Sequence, residues 1–271
     1  MLLLKGETEY PIFLDKKEKI KVQGNANNLD HLNIEGNIYN EEFSAFQATL
    51  QGPGIPSEKM LEAKAEEFIR QHNNSFVSIY LLDKYFVQKE TPDFKKIKEL
   101  IDVMAGVLQD KPSIGQLTEN ITQIEKVNEG KTAPFFSLPN QKGEKVTRLD
   151  KFKDKYMLIN FWASWCEECD STNVELRKIN NKYKKNKEFG ILGISLDINK
   201  EDWKNKIKQD TLTWEQVCTF TGWNLETAKQ YAILKLPTNI LVSPGGRILA
   251  RDIPTDSLSH AIEKVLKKEK K

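Results

Sequence analysis

The sequence predicts an α/β domain in the C-terminal half, preceded by an α+β domain that begins β-rich and continues as helices. Three observations carry this reading. Tyr156–Trp162 and residues 189–196 are nearly continuous apolar runs, as strands buried on both faces require. Ser243-Pro244-Gly245-Gly246, between Thr238–Val242 and Ile248–Arg251, spells a hairpin. The polar, turn-forming Asn128-Glu129-Gly130-Lys131-Thr132-Ala133-Pro134 separates two stretches of different pattern, which places domains at 1–128 and 129–271. A chain of 271 residues has the length for two such cores.

In chain order, residues 1–50 read as strands. Ile12-Phe13-Leu14, Ile20-Lys21-Val22 and Asn37-Ile38-Tyr39 are short segments separated by Gly6, Gly24, Gly36 and asparagine-rich turns. Gly52-Pro53-Gly54-Ile55-Pro56 ends that pattern, and Ser57 is the expected N-cap of a helix over 58–71. After Asn73-Asn74-Ser75, the residues Phe76, Ile79 and Tyr80 recur at helical spacing. Phe94, Ile97, Ile101, Met104 and Leu108 form one apolar stripe, and Ile114, Leu117, Ile121 and Ile124 another; both read as core. Beyond the boundary, helices are expected from near Cys166 to about Asn186 and over 202–208. A last helix carries Leu258, Ala261, Ile262, Val265 and Leu266 on one face, with Thr255 or Asp256 as its cap. Strand–helix–strand followed by hairpin–helix is the element order of a thioredoxin fold.

Composition excludes several functions. Lys and Arg number 41 against 39 acidic residues, and a net charge of +2 supplies no field for nucleic acid. The terminal Lys267-Lys268-Glu269-Lys270-Lys271 reads as a solvated helix end. No run approaches the ~20 apolar residues of a membrane helix. Leu2-Leu3-Leu4 is too short for a signal-peptide core. Three cysteines are too few for a disulfide scaffold. Two of them, however, stand three residues apart.

The central segment is Phe161-Trp162-Ala163-Ser164-Trp165-Cys166-Glu167-Glu168-Cys169, where a buried strand gives way to a helix. Cysteines at i and i+3 on a first helical turn share a face, with α-carbons about 5–6 Å apart, so the sulfurs can pair or separate with little backbone motion. Unpaired backbone N–H groups at the helix start favour a thiolate on Cys166. Cys169 lies one turn deeper. Cys166 is therefore the expected attacking sulfur and Cys169 the resolving one. Zinc also uses CxxC, but Cys218, His31, His72 and His260 do not form a second pair at metal spacing. No cofactor beyond a redox-active Cys166–Cys169 disulfide is expected. Cys218 reads as a small buried hydrophobe.

Phe161-Trp162-Ala163-Ser164-Trp165-Cys166 resembles the active-site approach of the thioredoxin superfamily. Ala133-Pro134-Phe135-Phe136-Ser137-Leu138-Pro139, followed by Gly143 and Val146, is similar to the N-terminal hairpin of the TlpA/ResA group within the AhpC/TSA branch. The resemblance spans about residues 130–268. It implies a thiol–disulfide oxidoreductase whose partners are a protein disulfide substrate and an upstream thiol protein that donates electrons. It also implies that Leu236-Pro237-Thr238 is the substrate-binding loop with Pro237 in cis, facing the cysteine pair. Trp165 reads as packing beside the site, either as substrate contact or as core. The N-terminal half resembles, less specifically, the domain that precedes the thioredoxin domain in exported TlpA-like lipoproteins. It reads as a partner- or substrate-presenting module or a structural one. That layout implies a periplasmic or envelope location with a lipid anchor, if an export signal has been trimmed; a complete sequence would be cytoplasmic.

The sequence departs from the family in three places. Proline before the second cysteine is replaced by Glu168, which puts two acids, Glu167 and Glu168, beside the developing thiolate and disfavours it. A destabilised reduced form is a better reductant, so net reduction of disulfides is expected. The buried Asp of thioredoxins corresponds to Asn160, and the Glu that ResA-like proteins carry after the second cysteine corresponds to Thr172. Glu168 or Glu175 is left as a substitute proton relay, or water does that work. Two other functions stay open on the sequence. A thiol peroxidase is disfavoured by Ala163, where peroxiredoxins place threonine. A copper-binding or scaffold module lacks an evident third ligand.

Overall fold

A computed structural model describes residues 2–5, 8–14, 18–25, 28–50, 56–89 and 92–268. The chain divides into two compact units, Met1–Ile121 and Thr122–Lys271. Gly6, the break at 52–55 and the basic end at 269–271 lie outside the described residues.

In the first unit, β1 (Leu2–Lys5) pairs antiparallel with β2 (Thr8–Pro11), and β3 (Lys21–Asn25) with β4 (Asn28–Glu35). Helices come next: α1 (Ile38–Ala48), α2 (Glu58–Gln71), α3 (Phe76–Leu82), α4 (Phe94–Asp102), α5 (Gly106–Gln109) and α6 (Pro112–Lys126), the last of which runs on past Ile121 into the second unit. A π-helical turn, Asp83–Val87, continues α3. Ser57 caps α2 as its position suggested, accepting the Met60 N–H.

Two segments read as strands are not strands. Asn37 is extended and its side chain accepts the Tyr39 N–H at 2.8 Å, so Asn37-Ile38-Tyr39 is the start of α1. Asn40, Phe43 and Phe46 then recur at helical spacing on its buried side. The backbone of Phe13 is satisfied by an amide side chain instead of a neighbouring strand. Its N–H donates to Asn40 Oδ1 at 2.9 Å and its carbonyl accepts from Asn40 Nδ2 at 3.0 Å. The stripe from Phe94 to Leu108 is also divided between α4 and α5. Gln109 Nε2 donates to the Ile101 and Met104 carbonyls, at 3.2 and 2.7 Å, where the first helix stops.

The second unit opens with a small hairpin, β5 (Leu138–Pro139) paired with β6 (Lys145–Val146), and a single turn, α7 (Arg148–Lys151). The chain continues through β7 (Tyr156–Trp162), α8 (Glu168–Tyr183), β8 (Phe189–Ser195), α9 (Lys200–Gln209), β9 (Glu215–Cys218), α10 (Glu226–Gln230), β10 (Thr238–Val242), β11 (Ile248–Arg251) and α11 (Leu258–Lys268). Its main sheet has the strand order β11-β10-β7-β8-β9. β7, β8 and β9 are mutually parallel, while β10 runs antiparallel to β7 and β11. Strand β9 is an addition to the elements read from the sequence. A 3-10 turn, Thr255–Ser257, leads into α11 where a side-chain cap was expected.

All seven residues of β7 are buried. Tyr156, Leu158 and Trp162 share one cluster with Leu176 and Ile179 of α8, Trp203 and Ile207 of α9, and Leu258 and Ile262 of α11. Phe161, on the alternate face, meets Tyr231 with ring centroids 5.6 Å apart. Burying a Leu, Ile or Phe side chain stabilises by about 1.5–3 kcal/mol. The central strand is thus fixed from both sides, and its carboxyl end is a rigid mount for the turn that carries the cysteines.

Candidate active site

The chain leaves β7 at Trp162, turns through Ser164 and Trp165, and enters α8 at Glu168. Cys166 precedes the helix by two residues, so the helix starts slightly later than its sequence suggested and ends earlier, at Tyr183. Cys166 and Cys169 form a disulfide with their Cα atoms 5.3 Å apart. The N-cap residue of α8, Glu167, makes no side-chain capping bond. The Cys169 N–H instead points at Cys166, 3.2 Å from its Sγ and 3.2 Å from its carbonyl. Sulfur occupies the place of a capping oxygen, and that N–H stabilises negative charge on Cys166 when the bond is reduced.

In the disulfide both cysteines are buried, Cys166 3% exposed and Cys169 0%. Glu167 and Glu168 are both exposed, and Glu168 Oε2 lies 4.0 Å from Cys166 Sγ. Glu175 is drawn away into an ion pair with Lys178 at 3.0 Å. Asn160 is buried below the motif, and its Oδ1 has no hydrogen-bond partner among the described residues. Thr172 faces Thr255, hydroxyl to hydroxyl at 3.0 Å.

Leu236–Pro237 is a cis peptide bond. The next residue, Thr238, pairs with Phe161, which sets the proline loop at the end of β7 from which the cysteine motif emerges. Leu236 packs against the cluster that contains both cysteines. Thr238 Oγ1 donates to the Lys235 carbonyl at 2.9 Å, closing the loop on itself.

Sequence reasoning missed Asp197. This residue follows β8 and is 1% exposed. Its carboxylate accepts the Ser164 N–H at 3.1 Å, the Ser164 hydroxyl at 2.5 Å and the Ser195 hydroxyl at 2.6 Å. A buried carboxylate needs such partners, and here they bolt the turn before Cys166 to the neighbouring strand. The available signal was a lone acid directly after a buried apolar run. Cys218 is buried, and its Sγ–H donates to the Asp197 carbonyl at 3.6 Å. Trp165 is half exposed, with its ring centroid 6.4 Å from that of Trp223. No group of three or more His, Cys, Asp and Glu side chains among the described residues is placed to hold a metal ion. No helix among them is long and apolar enough to cross a membrane.

Comparison with known proteins agrees with this geometry. The AhpC/TSA family matches residues 130–251. The chain is 34% identical over 149 residues to the thiol–disulfide oxidoreductase ResA of Bacillus thuringiensis subsp. konkukian (strain 97-27), covering 54% of this chain and 82% of that protein. A C-terminal domain assigned as a thiol–disulfide oxidoreductase from Bacteroides thetaiotaomicron is 56% identical, covering 53% of this chain and 99% of that one with a TM-score of 0.51. A thioredoxin-like protein from Bacteroides caccae ATCC 43185 shares the fold over 77% of this chain and 78% of its own, at 16% identity and a TM-score of 0.57. A disulfide at the mouth of a thioredoxin-type sheet, a cis-proline loop beside it and this degree of likeness to ResA lead to one conclusion: the chain belongs to the ResA-like thiol–disulfide oxidoreductases of the thioredoxin superfamily.

Proposed function

We propose that Cys166 is the attacking cysteine and Cys169 the resolving one, and that the pair reduces disulfides in other proteins. In the dithiol form the Cys166 thiolate attacks one sulfur of a substrate disulfide, joining to it and releasing the other as a thiolate. Cys169 then attacks Cys166 Sγ, restoring the Cys166–Cys169 bond and releasing the second substrate thiol. Two electrons pass to the substrate. A thiol protein recharges the pair by the reverse exchange. The observation that carries this assignment is the place of Cys166 ahead of α8, where the Cys169 N–H aims at its Sγ from 3.2 Å and favours negative charge on that sulfur.

Net reduction is supported by Glu168, whose carboxylate opposes a thiolate 4.0 Å away and so destabilises the reduced form. Leu236, Pro237 and Trp165 are the proposed substrate-binding residues, because they border Cys166 in the fold. Glu168 is favoured over Glu175 as the group that moves protons at the site, since Glu175 is paired with Lys178. The cell envelope is the proposed location. There disulfides persist and need reduction, whereas cytosolic thiols are kept reduced by other means.

The test is a Cys169→Ser variant exposed to an extract of its native cell. Proteins held as mixed disulfides through Cys166, and released by dithiothreitol, are the expected result. Adducts that form equally on Cys166→Ser would refute the role of Cys166. Direction is tested separately by redox titration. A potential well below that of DsbA, about −120 mV, is expected, and a value near it would mean net oxidation.

A further inference from the structure

The loops that leave the carboxyl ends of β7, β8 and β9 each carry one large apolar side chain into solvent. Trp165, Ile198 and Trp223 are 53%, 73% and 46% exposed. Single exposed apolar residues are ordinary on protein surfaces. These three are grouped. The Trp165 and Trp223 rings are 6.4 Å apart and tilted by 50°. Ile198 Cγ2 lies 2.9 Å from the point where a Cβ would project from Gly222, the residue before Trp223.

One buried residue ties the three loops together. The Asp197 carboxylate holds Ser164, next to Trp165, and Ile198 directly follows Asp197. The Asp197 carbonyl accepts from Cys218, whose sulfur in turn accepts the Phe220 N–H at 3.3 Å. Phe220 and Gly222 take positive φ angles of 60° and 57°, which turn the chain back to present Trp223. The Phe220 ring is held edge-on against Trp203, centroids 5.4 Å apart. Loops anchored in this way lose little backbone entropy when a partner covers the apolar side chains they carry.

We infer that Trp165, Ile198 and Trp223 form a docking platform for an extended segment of the substrate polypeptide that carries apolar or aromatic side chains near its reacting cysteine. The inference rests on the oxidoreductase reading and names the substrate class of that same site. Trp165 adjoins Cys166, so a mixed disulfide brings the substrate chain against it. An extended chain advances about 3.3 Å per residue and places alternate side chains on one face. The 6.4 Å between the indoles therefore matches two residues, and side chains i and i+2 of the substrate meet Trp165 and Trp223 in turn.

The experiment uses the reduced full chain and two disulfide-linked peptides, one with Phe and Leu two residues apart beside its cysteine, the other with Ser at both positions. A small aromatic disulfide reports that the redox pair of each variant is live. The readout is the ratio of second-order rate constants for the two peptides. The unsubstituted protein is expected to prefer the apolar peptide by about tenfold, the scale of one good aromatic contact. Trp223→Ala and Ile198→Ser should each shrink that ratio, and the double variant should leave only the part of the preference that Trp165 carries. A reactive protein with no preference, or a ratio untouched by Trp223→Ala, overturns the platform alone. A protein inert toward all three disulfides overturns the redox reading beneath it, a distinguishable outcome.

Discussion

Replacing Glu168 by Gln removes a charge beside Cys166, the proposed attacking cysteine, while keeping the size of the side chain. Two unit charges 4 Å apart repel by about 1 kcal/mol at the dielectric of water, and Glu168 Oε2 is 4.0 Å from Cys166 Sγ on an exposed side chain. Removing the carboxylate stabilises the thiolate by that amount, so the Cys166 thiol pKa should fall by about 0.7 unit. Above that pKa the reduced form gains the same ~1 kcal/mol, which moves the potential about 20 mV toward oxidising values. Below it the reduced site is a neutral thiol, and the potential of the variant should merge with that of the parent. Ultraviolet thiolate absorbance across pH measures the first quantity, and equilibration with glutathione at neutral and alkaline pH the second. Both shifts should shrink as salt is added, because the pair is solvent-screened. Glu168 also favours the start of α8, so a stability loss of about 0.3–1 kcal/mol is expected beside the redox effect. A thiol pKa that stays in place or rises would refute the electrostatic account of the proposed net reduction.

Three further outcomes test the surrounding structure. Gly193→Ala should destabilise the fold by about 2–4 kcal/mol in urea titration. A Cβ there would fall 1.9 Å from Gln216 Oε1, the buried acceptor of the Trp162 indole N–H at 3.0 Å; an unchanged midpoint would mean that Gln216 moves freely. Burial raises the Tyr231 phenol pKa above its ordinary 10.0, and its hydroxyl donates to the Pro134 carbonyl at 2.7 Å. That contribution is present in full below about pH 10 and is lost as pH rises above it. Tyr231→Phe should therefore cost about 1 kcal/mol at neutral pH and flatten the alkaline fall in stability; a parallel curve would refute the assignment. Burial likewise raises the Cys218 thiol pKa, so the oxidised native protein should show no fast reaction with a thiol reagent and one reactive thiol after unfolding. Rapid native labelling would show that strand β9 opens.

Several features were legible in the linear chain because their causes are local. The Cys166–Cys169 spacing sets whether two sulfurs can meet, and one turn of backbone decides it without help from the rest of the fold. Tyr156–Trp162 had to be a strand buried on both faces, since no other element of seven residues hides such a run. Ser57 announced α2 by its own hydroxyl. The cis bond at Pro237 was reached through resemblance, and the structure carries it. The first fifty residues were read less well. Asn37-Ile38-Tyr39 alternates like a strand, but the deciding interaction is the Asn37 cap joined to burial of Phe43 and Phe46, which three residues alone do not display.

What only the tertiary structure decided is the setting of the disulfide. The sequence by itself determined that two thiols one helical turn apart follow a buried strand, and that two acids, Glu167 and Glu168, lie between them. It could not determine that Asp197, 33 residues after Ser164, would close the turn before Cys166, nor that Trp223 would stand beside Trp165. Those contacts come from the parallel register of β7, β8 and β9, which aligns Trp162 with Ser195 and Ser195 with Cys218 and so gathers three distant loops at one end of the sheet. Chemistry written into neighbouring residues is fixed by covalent reach; recognition assembled from separate strands is fixed by packing, and packing is a property of the whole fold.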